Sequence, residues 1–155
     1  MKTTNIEIKM KIIVLNEKAN CGKTSVLKKL YAKLVANSIF RQTYFQQEGL
    51  YDLSAIFEYD VKKIGITTLG DGETELKNAF DTFIKEHCDL VVCASRSRDT
   101  KNGAVRYIKS LNADLIWYKK AYIEQWLAKY NANAEIDEIN DIQAKVLLKE
   151  ILLQI

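Results

Sequence analysis

A run of apolar and β-branched residues, Met10-Lys11-Ile12-Ile13-Val14-Leu15, leads through a short polar segment into Gly22-Lys23-Thr24-Ser25 and then into helix-forming sequence. This succession constrains the fold more than any other stretch of the chain. The apolar run reads as a buried strand. Val26, Leu27, Leu30, Tyr31, Leu34 and Val35 recur at helical spacing, so residues 22–37 form a helix with one apolar face. A short connection from strand to helix sets the helix N-terminus at the carboxyl end of the strand. Backbone N–H groups and the helix dipole converge there and favour an anion.

The remaining sequence keeps alternating. Residues 53–59 and 63–68 read as strands joined tightly around Asp60 and Val61, which requires them to be antiparallel. A helix is expected to start between residues 71 and 75 and to run to about His87. Residues 90–94 follow as a strand, 100–111 as a helix and 115–118 as a strand, and 122–130 and 135–153 are helical. Ile136, Ile139, Ile142, Val146 and Leu147 are expected to line one face of the last helix. Residues 40–51, rich in glutamine and aromatic side chains, read as a mobile loop. Alternation of this kind implies a mainly parallel sheet covered by helices on both faces. The hairpin adds one antiparallel strand, expected at an edge. No repeat or linker-like change of composition divides the chain, so residues 1–155 read as one domain.

Bulk chemistry narrows the function. A formal net charge of +3 is too small to imply nucleic acid or an anionic membrane as partner. Lys23, Lys28, Lys29 and Lys33 gather on the first helix, where a solvated face is the ordinary reading. No apolar run approaches a membrane span, and Glu7, Lys9 and Lys11 interrupt the N-terminal segment. Cys21, Cys88 and Cys93 form no CxxC pair, so free thiols in a reducing compartment are expected, and with them a cytoplasmic protein. His87 falls near a helix end, and Trp117 and Trp126 read as core.

The strand Ile12-Ile13-Val14-Leu15 and the loop Glu17-Lys18-Ala19-Asn20-Cys21-Gly22-Lys23-Thr24-Ser25 resemble the phosphate-binding segment of the P-loop NTPase superfamily. Glu17 departs from the pattern. It stands where the family has its first glycine, a position that opens the loop without holding phosphates. The resemblance implies a three-layer α/β P-loop NTPase fold with a mainly parallel sheet and one antiparallel strand. It implies a nucleoside triphosphate with Mg²⁺, bound by Lys18, Ala19, Asn20, Cys21, Gly22, Lys23, Thr24 and Ser25. Gly22 would admit the phosphates close to the backbone, Lys23 would reach the β- and γ-phosphates, and the Thr24 hydroxyl would ligate Mg²⁺. Cys21, at a helix N-terminus beside Lys23, would carry a lowered pKa or simply fit as a small residue.

The order strand, helix, hairpin, then a strand ending in Thr67-Thr68-Leu69-Gly70-Asp71-Gly72-Glu73 is also similar to small GTPases. Their corresponding strand ends in an aspartate, two residues and a glycine. Gly70 matches the glycine, but Thr67 replaces the aspartate. Asp71 is the nearest carboxylate, expected to orient metal or nucleophile, and equally suited to cap the following helix. The Asn-Lys-x-Asp guanine motif is missing, and that strand ends in Ser95-Arg96-Ser97-Arg98-Asp99. ATP is therefore favoured over GTP. Arg96 and Arg98 would clamp phosphates or stack on a base, against an ordinary reading as solvated loop residues. The expectation is an ATP-binding, Mg²⁺-dependent NTPase or small-molecule kinase, with Lys23 and Asp71 catalytic. The alternative is a non-catalytic, nucleotide-dependent switch that acts on a protein partner.

Overall fold

In the computed structural model, Ile12, Ile13, Val14 and Leu15 are all buried, yet they serve two different cores. Side chains alternate across a strand, so Ile13 and Leu15 enter one cluster while Ile12 and Val14 enter the other. A strand buried on both faces needs cover on both, and that demand organises the molecule. The structure describes residues 10–17, 23–70, 72–96, 103–118 and 136–155, with the backbone alone for 17, 96 and 136.

In chain order the elements are β1 (Lys11–Glu17), α1 (Lys23–Ala36), β2 (Arg41–Glu48), β3 (Asp52–Tyr59), β4 (Lys62–Thr67), α2 (Glu73–Lys85), β5 (Leu90–Arg96), α3 (Ala104–Ser110), β6 (Asp114–Tyr118) and α4 (Ile136–Gln154). They build a six-stranded sheet in the order β2-β3-β4-β5-β1-β6. β1 runs parallel to β5 and β6, and β4 runs parallel to β5. β3 is antiparallel to both β2 and β4, so it alone opposes the rest. Val26, Leu27, Leu30 and Leu34 of α1 share one core with Ala144, Leu147 and Ile151 of α4. Leu76, Phe80 and Phe83 of α2 share the other with Ala104 and Ile108 of α3. The result is a three-layer α/β arrangement. Burying a side chain the size of Phe80 or Phe83 is worth about 1.5–3 kcal/mol, so each helix is held mainly by its apolar stripe.

The two layers meet the sheet closely. At Gly65 in β4 an added Cβ would lie 2.7 Å from Cδ1 of Phe83, so the glycine makes room for the ring. Phe80 stands edge-on to both Phe83 and Tyr107, which ties α2 to α3.

Several expectations need correction. The antiparallel strand, β3, lies one place in from the edge. The edge is β2, formed by the segment expected to be a loop. Most of its side chains are exposed, so it lacks the alternation that marks a half-buried strand. In α4 the buried line is Asn140, Gln143, Ala144, Leu147 and Ile151, while Ile139, Ile142 and Val146 flank it. Trp117 is 38% exposed because β6 is the other edge strand. Lys29 and Lys33 are more than a solvated face, since they pair with Asp137 at 2.9 Å and Asp141 at 2.8 Å on α4. α3 begins at Ala104 with Gly103 as its N-cap, and residues 122–130 lie outside the described residues. Among the described residues no helix is long and apolar enough to cross a membrane.

Candidate functional site

Because β1, β4 and β5 are parallel, their carboxyl ends share one edge of the sheet. α1 follows β1, so its first residues, Lys23 and Thr24, stand at that edge. Buried polar side chains collect there as well. Asn16 near the end of β1 donates through Nδ2 to Ser95 Oγ near the end of β5, at 2.8 Å. These two residues are directly paired in the parallel register. The central strands, otherwise buried among apolar residues, carry their buried polar side chains toward this edge, which is where open α/β sheets bind ligands.

Two hydroxyl junctions fix the strand ends. Ser54 Oγ donates to Thr67 Oγ1 at 2.8 Å, and the Leu69 N–H donates to the same oxygen at 3.2 Å. Thr68 Oγ1 donates to Asp52 Oδ1 at 2.7 Å and accepts from the Leu53 N–H at 2.9 Å. The first residue of β3 is thereby locked to the turn after β4. Gly70 then passes against β5, where an added Cβ would sit 2.3 Å from the Ala94 carbonyl oxygen. No other residue fits that approach without moving backbone.

Between these elements lies a cleft of about 120 Å³, lined among others by Lys23, Thr24, Asp52, Gly70, Glu75 and Ala94. A hollow of about 360 Å³ adjoins it and shares Tyr51, Asp52, Leu69 and Glu75. Tyr51 is exposed at the β2–β3 turn, with Lys28 Nζ 5.9 Å from its ring centroid. The cleft therefore combines the Lys23 ammonium, the hydroxyls of Thr24, Tyr51 and Thr68, the carboxylates of Asp52 and Glu75, and a helix N-terminus. A third cavity, of about 310 Å³, lies at the opposite edge of the sheet, beside Met10, Ile84 and Leu111. Its lining is mainly apolar, and it lacks the mixed charges of the first cleft.

Of the residues anticipated from sequence, Lys23 and Thr24 meet in the cleft, and Ser25 lies exposed in the first turn of α1. Lys18, Ala19, Asn20, Cys21, Gly22, Asp71 and Arg98 lie outside the described residues. The backbone of Arg96 ends β5 opposite Glu17 of β1, and its side chain also falls outside. α2 takes Gly72 as its N-cap, one residue past Asp71. β1 lies between β5, which ends in Ser95-Arg96, and β6, while β4 with its Thr67 lies beyond β5 and does not touch β1. Asp52 and Glu75 are the carboxylates that sequence reasoning missed. Asp52 reaches the cleft from a hairpin, and only the pairing of Ser54 with Thr67 across β3 and β4 reveals it. Glu75 carries a weaker trace, as an acidic residue in the first turn of α2.

Hard oxygen donors of this kind suit Mg²⁺ better than a soft metal. Among the described residues no group of three His, Cys, Asp or Glu side chains is placed to hold a metal on its own. Protein-family models, curated proteins and solved structures offer no match to this chain.

Proposed function

We propose that the cleft at the carboxyl edge binds the phosphates of a nucleoside triphosphate, ATP in preference to GTP, in a P-loop NTPase fold. The observation that carries this reading is the meeting of Lys23 and Thr24, from the N-terminus of α1, with Asp52 in one small cleft. A strand and a helix joined through the sequence Gly22-Lys23-Thr24 would supply backbone donors and a cation for phosphate oxygens. The cleft of about 120 Å³ suits a phosphate group more than a whole nucleotide, and the adjoining hollow beside Tyr51 leaves room for the remainder.

Mg²⁺ accompanies the triphosphate in this proposal. Thr24 would offer its hydroxyl, and Asp52, held by Thr68, would order water on the ion. Asp71 remains a second candidate for that role. When bound, Mg²⁺ would neutralise phosphate charge, and Lys23 would stabilise charge on the transferring phosphoryl group. The activity proposed is a slow NTPase or a kinase of a small acceptor, in the cytoplasm. The non-catalytic switch is the second reading, favoured by Thr67, whose hydroxyl is occupied by Ser54 and Leu69 where a carboxylate would be expected.

Calorimetry with Mg-ATP tests the site. Lys23→Ala removes a charge-assisted contact worth about 1.5–3 kcal/mol, so affinity should fall about 10- to 150-fold while the melting temperature holds. Equal affinity of the variant and the native chain for Mg-ATP would refute the assignment. Phosphate release from Mg-ATP, with and without small acceptors, then separates the enzyme from the switch.

A further inference from the structure

We infer that β2 is an interface to a second copy of this chain, two β2 strands pairing antiparallel about a twofold axis that passes beside Phe45.

β2 is paired with β3 on one side, and its other side carries no strand among the described residues. Exposed edges of this kind offer a row of N–H and C=O groups to another chain. Proteins commonly guard such edges with lysine, proline or charge along the strand. β2 reads Arg-Gln-Thr-Tyr-Phe-Gln-Gln-Glu, with its only charges at the two ends. Phe45 at its centre is 47% exposed.

The register makes the strand complementary to itself. Directly paired residues share a face. Phe57 and Ala55 belong to the core under α1, so their partners Gln42 and Phe45 face that side. Gln42 bonds Tyr31 of α1 at 3.0 Å, and Phe45 lies 5.8 Å from the same ring, as this requires. Ile56 belongs to the opposite core, so Tyr44 faces α2, and Arg41 and Glu48 join it through their partners Glu58 and Asp52. In an unbroken strand Arg41 and Glu48 would point to opposite faces. The irregularity between Gln42 and Tyr44 restores them to one face.

A twofold normal to the sheet keeps each residue on its own face. Centred on Phe45, it sets Phe45 against its own copy, Tyr44 near Gln46, Gln42 near Gln47, and Arg41 near Glu48 of the other chain. Both ends then carry an ion pair, and the sheet continues from one copy into the next. Arg41 already holds Glu58 within its own chain, and a guanidinium has donors enough for a second carboxylate. The inference does not rest on the nucleotide reading, but Glu48 also lines the hollow beside the cleft, so the oligomeric state is read without nucleotide.

Sedimentation of the full chain over a concentration series tests it. The native chain should dimerise reversibly. Arg41→Glu and Glu48→Arg should each weaken the dimer about tenfold or more, because each alone sets like charges together at both ends. An equimolar mixture of the two variants should recover the dimer, since every cross-pair is then opposite in charge. A folding defect would leave the mixture as weak as its parts. Phe45→Cys supplies a reading free of charge changes, and mild oxidation should link it faster than Leu50→Cys, which is 83% exposed but off the axis. A native chain that stays monomeric, a mixture that stays monomeric, or equal linking of the two cysteine variants would overturn the inference.

Discussion

Asp52 holds two positions at once: it begins β3 and it lines the cleft beside Thr24. Its Oδ1 accepts from Thr68, a contact that asparagine would preserve through its own carbonyl oxygen. Asp52→Asn should therefore leave stability within about 0.5 kcal/mol while weakening the magnesium dependence of nucleotide binding. Magnesium titrations of Asp52→Asn and Asp71→Asn, run side by side, identify which carboxylate serves the ion, and native curves for Asp52→Asn would exclude it. The cysteines offer a second test at this scale. Burial pushes the Cys88 thiol up to about 12, and burial likewise raises Cys93. Thiolate is the reactive form, so both should resist alkylation in the folded chain. Cys21 should label first and be shielded by Mg-ATP, as mass spectrometry of the peptides would read. Lys23 and Thr24 were legible from sequence because strand, loop and helix are contiguous there. Asp52 was not, because its approach to Thr24 depends on a hairpin pairing that no local spacing records.

Among the elements, those with strong apolar periodicity were legible and those without it were not. β1, β5 and α1 each carry their burial in their residue pattern. β2 does not, since an edge strand exposed on most of its length has no period to read. α2 was placed correctly, yet the reason it sits so close to the sheet lies at Gly65, which looks like an ordinary strand glycine in sequence. Gly65→Ala would bring a Cβ to 2.7 Å from Phe83. Either the ring or the strand must shift, at a cost of about 1–3 kcal/mol in unfolding free energy. Phe83→Leu relieves the clash at the expense of its own packing, so the double variant should lose less than the sum of the two single losses. Strictly additive losses in denaturant unfolding would mean that Gly65 and Phe83 do not constrain one another. The same logic applies at Gly70, where backbone rather than a ring stands in the way, and relief by a second substitution is not available.

For the whole molecule, alternation of strand and helix announced three layers, but not the order of strands within the sheet. That order places β5 between β1 and β4 and so decides which strand ends meet at the cleft. The seam between α1 and α4 was likewise hidden. A reading by hydrophobicity favoured Ile139, Ile142 and Val146, whereas the buried line contains the amides of Asn140 and Gln143. Gln143 is fully buried, and neither its Oε1 nor its Nε2 has a hydrogen-bond partner among the described residues. An amide desolvated without a partner costs about 1–3 kcal/mol. The seam tolerates that cost because Leu147 and Ile151 pack beneath it and Lys29 and Lys33 clip α4 to α1 along its rim. Gln143→Met keeps the length and approximate volume of the side chain and removes both polar atoms. The variant should therefore gain about 1 kcal/mol in unfolding free energy, read as a higher denaturant midpoint with an unchanged slope. A loss of the same size would have a definite meaning. It would show that the amide is satisfied by residues beyond those described, and that α4 is docked by a polar contact as well as by its apolar stripe.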